Sequence, residues 1–220
     1  LDFLTGFDAE IFSMRIKSML ENYPKQSLYS SMNFLSTHDV PRALTVLSDA
    51  PDFRCLSRIE QHDYVIPHEK KLLAERRMKL ASAIQMTMPG APCIYYGDEA
   101  GLEGYRDPFN RLPFPWGKED GELLEFYKKI GEIRTSQKLY KDGFFELLHC
   151  DSGVLAFARY DQDSYILILV NRSEEKYLID SSVELKSCES GRRIKVLQGE
   201  SSCVLKGSGS ISDLKIEFYK

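Results

Sequence analysis

The sequence predicts a chain in two parts, an α/β front over residues 1–142 and an all-β domain over residues 143–220. Two observations carry this. Along the front, apolar patterns of helical and strand type alternate as helix, strand, helix, strand, helix, which is the grammar of parallel strands joined by crossover helices. After Lys141 the pattern changes to short β-prone runs between turn residues, the spacing of an antiparallel sandwich.

Each element has its own warrant. Ile11, Phe12, Ile16, Met19, Leu20 and Tyr23 share one helical face; Gly6 breaks what precedes, Asp8 can cap, and Pro24 closes. A short strand at 31–35 runs into Ser36-Thr37-His38-Asp39, then Pro41-Arg42. Residues 50–69 hold Pro51 and Pro67 with little periodicity, and read as an excursion loop with one helical turn at most. Loops this long inside a domain are usually functional or inserted. A helix over 70–88 turns Leu73, Leu80, Ala81, Ile84 and Met88 inward and stops at Pro89-Gly90. Residues 92–96 form a strand of the fully buried type, with Gly97 after it. A polar loop rich in Gly, Pro and aromatics fills 98–121, and the helix at 122–136 carries Leu123, Phe126, Tyr127, Ile130 and Ile133 on one face.

Beyond the boundary at Asp142-Gly143, strand-like runs occupy 144–148, 154–160, 165–170, 177–179, 194–197, 203–205 and 214–219. Asp151-Ser152-Gly153, Asp161-Gln162-Asp163 and Asn171-Arg172-Ser173 read as turns. Two parallel strands alone do not make a stable sheet, so the front is a portion of something larger. Its open strand edges and helix faces are expected to drive oligomerisation or a rearrangement of the front half.

Composition narrows the function classes. The net charge is −4, with Lys and Arg spread along the chain, so no basic stripe points to nucleic acid. No apolar run approaches a membrane span. The five cysteines (Cys55, Cys93, Cys150, Cys188, Cys203) are odd in number and lack CxxC spacing, which argues against zinc or a full disulfide framework. Reduced thiols are expected, with one disulfide among the last three left open. His62, His68, Asp63 and Glu69 show no fixed ligand spacing, so a solvated loop and no metal site are expected there.

Two stretches are specific. Met32-Asn33-Phe34-Leu35-Ser36-Thr37-His38-Asp39-Val40-Pro41-Arg42 resembles the seventh-strand motif of the α-amylase family of glycoside hydrolases, where a strand ends in His-Asp. Met88-Pro89-Gly90-Ala91-Pro92-Cys93-Ile94-Tyr95-Tyr96-Gly97-Asp98-Glu99 resembles the eighth-strand motif. Its continuation from Gly104 to Trp116 resembles the substrate-binding loop of maltogenic amylases, neopullulanases and oligo-glucosidases.

The resemblance implies the C-terminal part of a (β/α)8 TIM barrel, about strands seven and eight with helices six to eight, followed by an antiparallel β-sandwich. It implies a retaining hydrolase whose partner is an α-glucan oligosaccharide of starch type. A transglycosylating sucrose or trehalose enzyme is the near alternative, and a non-catalytic carbohydrate-binding or structural module the distant one. The family's nucleophile and acid/base come from strands four and five, outside this chain, so the fragment alone is expected to be inactive. No cofactor is expected here, and the calcium sites that the resemblance implies lie mainly in the missing part.

By the same resemblance, Asp39 is the third carboxylate, a transition-state stabiliser holding the 2- and 3-hydroxyls of the cleaved unit. His38 contacts that sugar. Asp107 and Arg111 match positions that bind hydroxyls just beyond it, against a plain reading as a loop ion pair worth little. Arg42 stands behind them, paired with Asp39 or with a backbone carbonyl. Tyr105, Phe109 and Trp116 are candidates for stacking on sugar rings, Trp116 equally for anchoring the loop. Asp98 and Glu99 have the type and place of an acid/base pair, but the resemblance makes them structural.

Overall fold

Asp8 opens the first helix. In the computed structural model, which describes residues 1–6, 8–151 and 153–220 and leaves out the side chain of Asp2, its carboxylate accepts the amides of Glu10 and Ile11. These are donors that a helix start leaves free. The helix, α1, spans Ala9–Asn22, and Tyr23 ends it in extended conformation ahead of Pro24. Ile11 and Met14 stay exposed, so the apolar stripe is partly open. A short helix α2 (Lys25–Ser30) follows, burying Leu28. Six residues are too few to show a helical period, which is why the pattern does not reveal it.

Strand β1 (Met32–Phe34) leads through the polar turn to α3 (Ala43–Leu47), another element too short for periodicity, with Ala43, Leu44, Thr45 and Leu47 buried. The excursion is more regular than expected. It holds a 3-10 turn at Phe53–Cys55 and the helix α4 (Arg58–Asp63), started by a full capping box between Ser57 and Glu60. Helix α5 (His68–Thr87) is buried on nearly every side in its second half, from Leu80 to Thr87.

Strand β2 (Ala91–Cys93) pairs parallel with β1 in the register Met32↔Ala91, Asn33↔Pro92, Phe34↔Cys93. The parallel pairing is as expected, but the extent needs correction. The strand stops at Cys93, and Ile94 and Tyr96 are exposed. Past Phe34 its partner turns away into residues 36–42, so Ile94-Tyr95-Tyr96 have no ladder to join. Helix α6 (Gly121–Ser136) buries Leu123, Tyr127 and Ile130 as the pattern requires, and the short α7 (Leu139–Asp142) closes the front. Helix α5 packs against both α3 and α6.

The back part contains β3 (Phe144–Cys150), β4 (Val154–Tyr160), β5 (Ser164–Asn171), β6 (Tyr177–Ser181), β7 (Lys186–Ser187), β8 (Val196–Leu197), β9 (Ser201–Ser208) and β10 (Ile216–Tyr219). They form antiparallel sheets of order β3-β4-β5-β9-β7 and β10-β6-β8. The two-residue β7 was not foreseen. Asp161 and Asn171 take the amides of Ser164 and Ser173, the Asx-turn chemistry their sequence promised. Asp151 likewise accepts from Gly153 and Val154, while Ser152 of that expected turn lies outside the described residues.

The larger sheet is the middle layer. Leu155, Phe157, Ile166, Ile168 and Val204 join Met78, Tyr127 and Ile130 of the helices in one core. The alternate residues Ala156, Ala158, Leu167, Leu169 and Leu205 face Leu197 and Tyr177 of the smaller sheet. The strand period of two thus sorts side chains between two cores. Arg159 on β4 stitches the parts together: fully buried, it donates to the carbonyls of Thr87 (3.3 Å), Tyr140 (3.2 Å) and Gly143 (3.1 Å). It thereby serves the last carbonyl of α5, which the helix leaves without a partner, together with two carbonyls at the end of the front.

Candidate active site at the strand ends

The C-terminal ends of β1 and β2 meet at a buried polar knot. The Ser36 hydroxyl donates to Asp98 Oδ1 at 2.9 Å and accepts the Ala43 amide at 2.8 Å, fixing where α3 leaves the turn. Arg42, fully buried, donates from Nε to the Asn110 carbonyl at 2.9 Å and from Nη1 to the Tyr96 carbonyl at 2.5 Å and to Asp98 Oδ1 at 3.2 Å. Its guanidinium also lies 4.2 Å from the Tyr95 ring centre. Of the two partners open to Arg42 in the sequence, the backbone carbonyl is the one found, and its carboxylate partner is Asp98, not Asp39. Asp98 is itself buried, in keeping with a structural role.

Burial pushes the Asp98 carboxyl up to about 6, against the opposing pull of Ser36 and Arg42. The folded value lies above the ordinary 3.8, so folding takes up a proton between about pH 4 and 6. The stabilisation is full below about pH 4 and is lost as pH rises through 6, about 3 kcal/mol in all. Asp98→Asn removes the titrating group at constant shape. Urea unfolding at pH values from 4 to 7.5 is expected to show a flatter pH dependence for the variant. Equal slopes in the two proteins would contradict this.

His38 and Asp39 stand clear of the knot. Their side chains are 61% and 71% exposed, with His38 Nε2 3.4 Å from Asp39 Oδ1. The Asp39 amide donates to Thr37 Oγ1 at 3.2 Å. The loop after β2 comes up beside them. Its approach is set at Gly104, whose carbonyl takes the Arg42 amide at 2.9 Å and whose amide donates to Thr45 Oγ1 at 2.8 Å. Gly104 has φ +152°, and a Cβ there would sit 2.2 Å from the Phe109 carbonyl oxygen, so the position requires glycine. Beyond it, Asp107 precedes a cis Pro108, and Arg111 Nε pairs with Asp107 Oδ1 at 2.8 Å across a 3-10 turn.

All four candidate contact residues therefore share one rim. Arg111 Nη2 lies 3.4 Å from the His38 carbonyl, and Arg106 Nε donates to the Asp39 carbonyl at 3.1 Å. From the outside, α4 braces the loop: Arg58 Nη1 donates to the Asp107 carbonyl at 2.7 Å and lies over the Phe109 ring, while His62 meets that ring edge-on. The excursion is thus part of the site's wall. Asn110, Arg106 and Arg58 went unnoticed in the sequence. Arg106 and Asn110 lie in the stretch whose resemblance marked the loop but not their roles, and the signal near Arg58 was the Ser-x-x-Glu box that starts α4.

The aromatic candidates separate. Tyr105 is buried, with its hydroxyl on the Pro51 carbonyl at 2.9 Å and its ring against Tyr64, so it supports the excursion and offers no face to a sugar. Phe109 is covered by Arg58 and His62. Trp116 is 82% exposed, its ring 4.6 Å from Phe114, so it does not anchor the loop. Elsewhere, the five cysteines are unpaired thiols, and burial pushes Cys203 up to about 12.

A parallel strand pair that ends in an exposed His-Asp on one side and a buried carboxylate on the other, backed by helices and followed by a sandwich, has a family. The chain belongs to the alpha-amylase family: its catalytic-domain pattern matches residues 5–142. The fold is the C-terminal part of that family's (β/α)8 barrel with the sandwich behind it. The chain is similar to the amylopullulanase of Thermoanaerobacter thermohydrosulfuricus, 39% identical over 180 residues, which is 77% of this chain and 12% of that protein. It is 31% identical over 182 residues to the cyclomaltodextrinase of Geobacillus thermopakistaniensis, 81% of this chain and 27% of that one. The solved maltogenic amylase from S. marinus superposes with a TM-score of 0.72 at 27% identity, over 96% of this chain and 27% of that chain. The chain spans 12%, 10% and 16% of the length of three amylopullulanases that it matches.

Proposed function

We propose that these residues supply the last two βα units and the C-terminal sandwich of a retaining α-glucoside hydrolase acting on starch-type oligosaccharides. The observation that carries this is the shared rim: an exposed His38-Asp39 at one strand end, joined through backbone carbonyls to the loop bearing Asp107 and Arg111. In this reading the Asp39 carboxylate accepts hydrogen bonds from the 2- and 3-hydroxyls of the sugar being cleaved. Those bonds strengthen as the ring flattens and gains positive charge in the transition state. His38 donates to the same sugar, and Asp107 with Arg111 holds the next unit through paired hydroxyls.

Bond cleavage with retention needs two carboxyls about 5–5.5 Å apart, one nucleophilic and one acid/base. Two carboxylates near the rim are already engaged in ion pairs. Asp98 is committed to Arg42, and Asp107 to Arg111. By the family resemblance, the bond-breaking pair comes from strands four and five, outside these 220 residues, and the chain alone is expected to turn over no sugar. The amylopullulanases, cyclomaltodextrinases and neopullulanase among the relatives support α-glucans as the substrate class.

The test is turnover by the full-length protein on maltodextrin, pullulan, sucrose and trehalose, with the first product's anomer read by NMR. Hydrolysis of maltodextrin or pullulan with the α-anomer appearing first is expected. Transfer confined to sucrose or trehalose would replace this reading with a transglycosylating one, and no turnover on any α-glucoside would overturn it.

A further inference from the structure

We infer that Asn110 is a positioning residue for Asp39, so that the loop carrying the outer sugar contacts also sets the attitude of the transition-state carboxylate. This rests on the role given to Asp39 above. Asn110 is fully buried. Its Nδ2 faces the carbonyls of Val40 at 2.8 Å, His38 at 3.0 Å and Thr37 at 3.3 Å. The carbonyl between them, that of Asp39, is taken by Arg106 Nε at 3.1 Å. Four successive carbonyls, 37 to 40, are thus held by side chains from residues 106 and 110 of a single loop.

Three features separate this from an ordinary buried amide tying two loops. First, the clamp grips backbone alone and leaves the His38 and Asp39 side chains exposed. A carboxylate that must meet a sugar needs a fixed base and a free head. Second, the Asn110 Oδ1 is buried without a hydrogen-bond partner. The amide is thus committed through its N–H donors alone. Third, Asn110 is fixed from behind, because Arg42 Nε holds its carbonyl at 2.9 Å and Asp98 holds Arg42. Nothing comparable fixes the Asp39 carboxylate directly. Its side-chain neighbour is the exposed His38 at 3.4 Å, so its direction follows the backbone.

The experiment is steady-state hydrolysis of maltotriose by the full-length protein, well below each variant's unfolding midpoint so that the folded fraction does not enter. Asn110→Asp keeps the shape and replaces two N–H donors by a carboxyl with at most one O–H donor. It is expected to lower kcat about tenfold or more while KM moves less than about threefold, the pattern of an interaction felt in the transition state. Arg106→Met is the second variant, at an exposed position where folding is not at stake. It is expected to lower kcat about three- to tenfold with KM unchanged. If Asn110→Asp does not fold, Arg106→Met decides alone. Unchanged kcat, or a rise in KM at constant kcat, overturns the positioning role and leaves the role of Asp39 standing. Absence of turnover in the unaltered protein overturns the role of Asp39 and the positioning role with it.

Discussion

Asp39→Asn in the full-length protein is expected to lower kcat/KM on maltodextrin by about a thousandfold, roughly 4 kcal/mol of lost transition-state stabilisation. The substitution keeps shape and removes charge where a sugar ring gains positive character. It is expected to leave folding alone. The Asp39 side chain is exposed, its neighbour His38 is 3.4 Å away, and exposed pairs of this kind contribute little. What holds the residue in place is backbone: its carbonyl on Arg106 and its amide on Thr37. Kinetics and a thermal melt of the same preparation check both halves. A loss below about tenfold, or a fall in melting temperature large enough to explain the loss, would contradict a transition-state role.

Arg42→Met is expected to cost about 3–5 kcal/mol of folding stability, the range for breaking one side of a buried ion pair. The guanidinium is fully buried and serves Asp98 together with the carbonyls of Tyr96 and Asn110. Methionine fills much of the space but leaves those acceptors dry and unpaired. Adding Asp98→Leu to Arg42→Met is expected to restore part of the loss, because the orphaned carboxyl goes with its partner. Urea unfolding of both variants measures this. A cost under about 1 kcal/mol for the single change would mean that the knot does not hold the strand ends together.

These two side chains also mark what could be read from sequence. His38, Asp39, Asp107 and Arg111 were picked out by the resemblance of two contiguous motifs to those of the family, and the structure brings them to one rim. Asn110 was not, since its task is defined by carbonyls 70 to 73 residues away. The partner of Arg42 likewise lies 56 residues on, and only the fold chooses Asp98 over Asp39.

The same division runs through the elements. The α6 stripe and the β4 run carry full periods and were read to within a residue. The helices α2, α3 and α7 run to four to six residues and show no period at all. The length of β2 depends on where β1 turns away, which no local pattern records. Tyr105 shows the same limit in a side chain. Its type suits stacking on a sugar, yet Pro51 and Tyr64 claim it from a segment more than forty residues earlier.

The proposed site is divided, with the gripping carboxylate here and the bond-breaking pair on other strands. Its most direct test is a side-by-side assay of maltodextrin hydrolysis by the 220-residue chain and by the full-length protein at equal molar concentration. Turnover by the full-length protein and none by the chain is the expected result. Turnover by the isolated chain, or its absence from the full-length protein, would contradict it.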